Sequence, residues 1–79
     1  MSPTIFREGP FRFYFFSREE TRMHVHVQSS AGEAKFWLEP HIELAHNYGL
    51  NMRQINAAYR LVEKHAHEIR KAWKTHFGS

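Results

Sequence analysis

The sequence contains no cysteine, so no disulfide bond can stabilise it and no thiolate can ligate a metal. A chain held together by packing alone is typical of a reducing compartment. Long hydrophobic runs are absent too: residues 13–16 form the longest apolar run, whereas a membrane-spanning helix needs about 20 residues. Residues 1–7 have neither the basic start nor the apolar core of a signal peptide. We therefore expect a cytoplasmic protein without membrane contact.

Charge and chain length set further limits. Lysine and arginine total 11 against 8 acidic residues, a net charge of +3 that mildly favours anionic partners but does not by itself indicate nucleic acid. With 79 residues, of which 42% are hydrophobic, the chain can form a single modest core. We expect one domain spanning residues 1–79. The seven histidines are scattered along the chain, so they are not an affinity tag.

Two alternating segments predict the centre of the fold. Strict alternation of apolar and polar residues around His24 and His26 predicts a strand with both imidazoles on one face. A second alternating run, which contains Lys35 and Trp37, follows a segment of small residues suited to a hairpin loop. If this loop is centred just after Ser30, His24 lies opposite Trp37 and His26 opposite Lys35. Two histidines, a lysine and a tryptophan then share one face of the hairpin.

Turn-forming residues divide the rest of the first half into further strands. Residues 4–7 and 11–16 flank a Glu-Gly-Pro turn and predict another hairpin. The polar residues 17–22 form the loop to the histidine strand. Residues 42–48 alternate briefly and predict a fifth strand, although a single helical turn over residues 43–47 is a close alternative.

From Asn51 onward the apolar period changes from two to about 3.6, which predicts one long helix over residues 52–77. Asn51 and Gln54 can form a capping box, and Gly78 suits the C-terminal end. A coiled coil would need the same spacing, but packing on the sheet is the better interpretation in so short a chain. The apolar stripe consists of Met52, Ile55, Tyr59, Val62, Ala66, Ile69, Trp73 and either His76 or Phe77.

The predicted fold class is therefore α+β: an N-terminal, mostly antiparallel sheet of four to five strands over residues 3–48, packed on one long C-terminal helix over residues 52–77. The apolar faces of the strands turn toward the helix. The opposite sheet face is the candidate binding face, and it is predicted to carry Arg12, Tyr14, Phe16, His24, His26, Lys35 and Trp37.

This mixture of aromatic and cationic side chains has two interpretations. Stacking on bases and contacting phosphates require such residues, so RNA or DNA is one candidate ligand. Trp, Tyr and Arg are also enriched in protein interface hot spots, and exposed Tyr14, Phe16 and Trp37 would form an apolar patch that needs cover. We favour burial by a protein partner, and self-association into a homo-oligomer is a further alternative.

The histidine pair allows two kinds of chemistry. His24 and His26 could act as base and acid of a metal-independent ribonuclease, because imidazoles change charge near neutral pH. Phosphoryl charge would then be stabilised by Arg12, Arg22 or Lys35. The pair could instead supply two ligands of a metal-binding hydrolase, with the remaining ligands drawn from Glu20, Glu33, Glu39 and His41.

No spacing among these residues demands ligation, so we assign no metal and no other cofactor. The favoured interpretation of both imidazoles is that they are ordinary polar residues on a solvated sheet face, or serve a plain binding role. His24 and His26 are therefore candidates only, and the balance of the sequence favours a protein that is not an enzyme.

A basic stripe lies opposite the apolar stripe of the predicted helix. It is usually the solvated outer face of such a helix, and nucleic-acid contact is the less favoured interpretation. The stripe consists of Arg53, Arg60, Lys64, Lys71 and Lys74, with His67 between them.

The chain resembles a small bacterial family of unknown function. The similarity comprises the Pro-Thr-Ile-Phe-Arg start at residues 3–7, the aromatic strand at 11–16, the His-Val-His-Val strand at 24–27, the strand at 32–38, and helical segments that include residues 61–65 and 72–73. Similar proteins are often encoded beside a second small protein in modules described as toxin–antitoxin pairs. The resemblance thus implies a cognate small protein partner, and we expect a cytoplasmic interaction module that binds this partner and, as a further candidate, nucleic acid.

Overall fold

The computed structural model describes residues 4–16 and 22–78. These residues form five strands followed by two helices, which confirms the predicted α+β class. The predicted loop over residues 17–22 lies, apart from Arg22, outside the described residues. The elements are β1 (Thr4–Glu8), β2 (Phe11–Tyr14), β3 (His24–Gln28), β4 (Glu33–Trp37), β5 (Glu43–Tyr48), α1 (Met52–Lys64) and α2 (Ala66–Phe77).

The strands form one antiparallel sheet in the order β1-β2-β3-β4-β5, so every strand pairs with its neighbour in sequence. The predicted register of β3 and β4 is confirmed: His24 lies opposite Trp37 and His26 opposite Lys35. Ser29 closes this hairpin by donating its backbone N–H to the Gly32 carbonyl at 2.9 Å. Alternation, together with the position of the hairpin loop, was sufficient to fix which side chains share a face.

The first hairpin turns at Gly9, whose φ of +58° is a conformation that favours glycine. The β1–β2 register shifts between Thr4 and Phe6, so β1 is irregular at its start. After this shift Phe6 stacks on Phe13 with a ring-centre distance of 4.3 Å. The irregularity therefore adds an aromatic ring of β1 to the core side of the sheet.

The fifth element is the predicted strand, and the alternative helical turn does not form. Its end is fixed by Asn47, whose side chain donates to the Leu50 carbonyl at 2.9 Å and accepts from the Leu50 N–H at 3.1 Å. Gly32 lies so close to the Tyr48 carbonyl that a Cβ atom there would collide with it. The β3–β4 loop and the end of β5 are consequently packed backbone to backbone.

The core lies between one face of the sheet and the helices, as the apolar stripe predicted. The fully buried residues of this core include Phe13, Val25, Phe36, Leu38, Val62 and Ile69. Met52 was assigned to the stripe, but this is wrong, because its side chain is 74% exposed. Leu50 and Ile55 belong to the buried cluster instead, and they occupy the two positions of a hydrophobic staple around the N-cap Asn51. Leu50 thus fills the core ahead of the helix, and Met52 in the first turn stays in solvent.

The predicted single helix over residues 52–77 is interrupted at His65, where φ is −105° and ψ is 16°. The His65 N–H still donates to the Leu61 carbonyl, and the His65 carbonyl accepts from the Ile69 N–H. Helix α1 therefore ends and helix α2 begins at this one residue. No glycine or proline marks the position. The His65 side chain forms a hydrogen bond with Glu8 of β1. Because this contact joins residues distant in sequence, the apolar period of the helix does not predict it.

Both outer ends of the helical pair are capped as the sequence predicted. Asn51 and Gln54 form the reciprocal capping box, with both hydrogen bonds at 2.8 Å. Gly78 ends α2 in the left-handed conformation, with φ at +79°. Neither of the described helices is long and apolar enough to cross a membrane.

Candidate functional site

The helices cover one face of the sheet, and the other face, called here the open face, is the candidate site. Adjacent strands place Tyr14, His26 and Lys35 in one row across β2, β3 and β4. His46 of β5 continues this row, because it pairs with Lys35. Four strands therefore contribute neighbouring aromatic, imidazole and ammonium groups to one surface.

Aromatic rings form the centre of the open face. The His26 ring lies parallel to Tyr14 at 5.4 Å and 4.3 Å from the centre of the Phe16 ring. Tyr14 also donates its hydroxyl to Glu33 at 3.4 Å. Tyr14 is only 3% exposed, so the prediction that its ring is free for a partner is wrong. Phe16, 44% exposed, is the ring of this cluster that solvent reaches.

The predicted cations of the open face lie over aromatic rings. The Arg12 guanidinium is 4.4 Å from the centre of the Tyr14 ring. Trp37, which is partly buried, has Arg22 at 4.1 Å and the Lys35 ammonium at 4.4 Å from its ring centre. Such contacts orient the cations and, at the same time, occupy ring surface on which a base could stack.

His24 occupies the predicted position beside Trp37, but its side chain is completely buried. Its Nδ1 lies 2.7 Å from the Arg22 carbonyl, and because a carbonyl only accepts, Nδ1 carries the proton. The ring also meets Trp73 of α2 with 5.2 Å between ring centres. A buried imidazole cannot reach a macromolecular substrate, so His24 and His26 do not present a paired acid and base to solvent.

Sequence reasoning missed the contribution of β5 to the open face. His46 and Tyr48 are two residues apart on this strand and stack with 6.1 Å between ring centres. Tyr48 is 64% exposed. The alternation in residues 42–48 could have revealed both side chains, but it was used only to assign the strand. A depression of about 140 Å³ lies between the strands and is lined by Phe16, His26, Glu33, Ala34, Lys35, His46 and Tyr48.

The metal-ligand candidates do not come together. Within residues 4–16 and 22–78, no group of three His, Asp or Glu side chains is placed to hold a metal ion. Glu33 is engaged by the Tyr14 hydroxyl, and Glu20 lies outside the described residues.

The basic stripe is exposed along both helices, on the side of the molecule away from the open face. Lys64 forms an ion pair with Glu8 at 3.4 Å, whereas Arg53, Arg60, Lys71 and Lys74 lie in solvent. The two cationic surfaces of the molecule are therefore separate, and a single ligand on the open face would not contact the stripe.

An antiparallel sheet of five strands, backed on one face by two helices, with no helix within residues 4–16 and 22–78 on its other face, defines a small α+β protein. Residues 10–74 match the model of a domain of unknown function (DUF4160), and the chain belongs to this family. The matched segment contains β2 to β5 and most of the helical pair. The chain has no significant match among curated proteins or among solved structures.

Proposed function

We propose that the protein is a cytoplasmic binding module whose open face docks a second small protein, in a pair of the toxin–antitoxin type. The observation that carries this proposal is the pair of exposed rings, Phe16 and Tyr48, on either side of the depression in the open face. Large apolar side chains around a concavity are typical of interface anchors. No element among the described residues covers them.

The cations of the open face indicate what the partner carries, although the depression itself is lined by one cation, Lys35, and one carboxylate, Glu33. Arg12, Arg22 and Lys35 lie on the open face, and the chain has a net charge of +3. A partner that inserts one apolar side chain between Phe16 and Tyr48 and carries carboxylates toward Arg12, Arg22 and Lys35, away from Glu33, would be complementary in shape and in charge. The proposed partner is therefore a small acidic protein.

The geometry favours a protein over a nucleic acid on this face. Base stacking needs exposed ring faces, but Tyr14 is buried and Trp37 already has two cations over its ring. The ribonuclease alternative is less favoured still, because His24 cannot contact a phosphodiester while His26 does. The basic stripe on the helices is remote from His24 and from His26.

Co-expression with the neighbouring gene product, followed by titration of the purified proteins, tests the proposal. Tyr48→Ala and Phe16→Ala should each weaken the complex by about 2 kcal/mol, because both rings are placed to act as anchors. Met52→Ala is the matched control, since Met52 is more exposed than either ring but lies on α1, and it should leave the affinity unchanged. Wild-type affinity in both aromatic variants would contradict the proposal, and so would RNA binding by the open face without any protein complex.

A further inference from the structure

We infer that the protein has a second site, a groove for a small carboxylic acid, between the edge strand β1 and helix α2. The groove has a volume of about 580 Å³. This volume lies within the range of small-molecule sites, roughly 300–1,000 Å³. The groove is lined by Thr4, Ile5, Phe15, Glu68, Lys71, Ala72, Thr75 and His76, and it shares none of these residues with the depression in the open face.

One face of α2 forms the helical wall of the groove. The residues of this wall recur at intervals of three and four along the helix, so they lie on one side of it. They are Glu68, Lys71, Ala72, Thr75 and His76. The short side chain of Ala72 leaves space between α2 and β1 that a longer side chain would fill. The helix therefore supplies a wall with a recess at its centre and polar groups around it.

The opposite wall comes from an irregularity in β1. The β1–β2 register shifts between Thr4 and Phe6, which is the pattern of a β-bulge at Ile5. A bulge redirects a side chain, and bulges are frequent beside active sites. Ile5 is half-buried against the core, and Phe15 is 1% exposed and meets Trp73 edge to face at 5.3 Å. This apolar wall is therefore packed in place before a ligand arrives.

The charged groups of the groove indicate an anionic ligand. Lys71 is exposed, and no ion pair found within residues 4–16 and 22–78 includes its ammonium group. Glu68 also lines the groove, but its Oε1 lies 3.1 Å from His65 Nδ1, so this carboxylate is already engaged. His76 and the Thr75 hydroxyl add hydrogen-bond donors at the same wall. The groups that remain to bind a ligand are therefore mainly donors.

An apolar wall beside an exposed ammonium group identifies the ligand class. An inorganic anion would leave the apolar wall unused, and a neutral hydrocarbon would leave Lys71 without a partner. A carboxylic acid with a short apolar body uses both: its body lies between Ile5 and Ala72, and its carboxylate accepts a charge-assisted hydrogen bond from Lys71. The ligand is therefore a small monocarboxylate with an aliphatic or an aromatic body.

Titration with hexanoate and with 3-phenylpropanoate, followed by backbone amide NMR at constant pH and ionic strength, tests the groove. Saturable shifts are expected at Ile5, Lys71, Ala72 and Thr75. Acetate has the charge without the apolar body and 1-hexanol has the body without the charge, so both should bind more weakly by roughly tenfold or more. Lys71→Gln should weaken hexanoate binding roughly tenfold, because a charged hydrogen-bond donor is lost, and should leave 1-hexanol binding unchanged. Lys74→Gln is the matched control, since Lys74 is an exposed lysine of the same helix outside the groove, and it should leave hexanoate binding unchanged.

The two acids separate the two kinds of body. Tighter binding of 3-phenylpropanoate identifies an aromatic ligand and tighter binding of hexanoate an aliphatic one, and either result supports the groove. Shifts that do not saturate, that acetate or 1-hexanol reproduces with equal affinity, or that Lys74→Gln reduces as much as Lys71→Gln would overturn the inference. Both lysines are exposed, so the two variants should keep the wild-type melting temperature, which verifies that they are folded. No protein partner is present in this titration, so its failure leaves the proposed docking function untouched.

Discussion

The His65 Nε2 lies 2.9 Å from Glu8 Oε1, and this contact joins the junction of the two helices to the edge strand β1. The other ring nitrogen, Nδ1, lies 3.1 Å from the Glu68 carboxylate. A neutral imidazole donates from only one nitrogen, whereas the protonated ring donates from both. The ring also packs on Phe6, with 4.2 Å between ring centres. His65 thus combines a helix break, contacts with two carboxylates and an aromatic contact.

Replacement of His65 by alanine should lower the free energy of unfolding by roughly 1–2 kcal/mol, because the hydrogen bonds and the contact with Phe6 are lost together. Lys64→Ala is the matched control: its ion pair to the same carboxylate is exposed and contributes little. Urea denaturation of both variants measures the difference. Equal stabilities of the two variants would show that His65 does not hold β1 to the helices.

The contact between His65 and Glu8 should also affect how the free energy of unfolding depends on pH. The hydrogen bond from His65, followed by the contacts with Lys64, holds the pKa of Glu8 below its ordinary value of 4.5. A carboxylate with a lowered pKa stabilises the fold above its unfolded pKa, and this contribution is lost as the pH falls through its folded pKa. Denaturation at a series of acid pH values should therefore show a smaller loss in Glu8→Gln than in the wild type. The same pH dependence in both proteins would contradict the assignment.

The packing of α2 can be tested at Trp73, which is 4% exposed and meets Phe15 edge to face at 5.3 Å. Trp73→Ala should cost about 3–5 kcal/mol, a large share of the stability of so small a protein. Met52→Ala removes a large apolar side chain that is exposed, and it should cost less than about 0.5 kcal/mol. A loss below about 1 kcal/mol in Trp73→Ala, measured by chemical denaturation, would show that the helix does not pack here.

The burial of His24 predicts that the protein does not cleave RNA. The highly purified wild type, incubated with single-stranded RNA, should yield no products above those of a His24→Ala, His26→Ala double variant. Gel analysis over a long incubation would measure this. Cleavage by the wild type that each single histidine variant abolishes, in folded protein free of contaminating nuclease, would reverse the conclusion.

Local periodicity was sufficient for the strands, for the β3–β4 register and for the face that meets the helices, because these follow from neighbouring residues. It failed where burial depends on contacts distant in sequence. Tyr14 and His24 occupy the predicted face, but both side chains are buried. Tyr14 packs against Phe16 and His26, and His24 packs against Trp73, which lies far along the chain. The break at His65 has the same origin, since its partner Glu8 lies in the first strand.

The most direct test of the docking function is a cross-saturation NMR measurement on the complex with the neighbouring gene product. Irradiation of the partner's protons should reduce the amide signals of the open face, above all at Phe16, Lys35, His46 and Tyr48. The signals of Arg53, Arg60 and Lys71 on the helices should be unaffected. Signal loss concentrated on the helices, with the open face unchanged, would contradict the account.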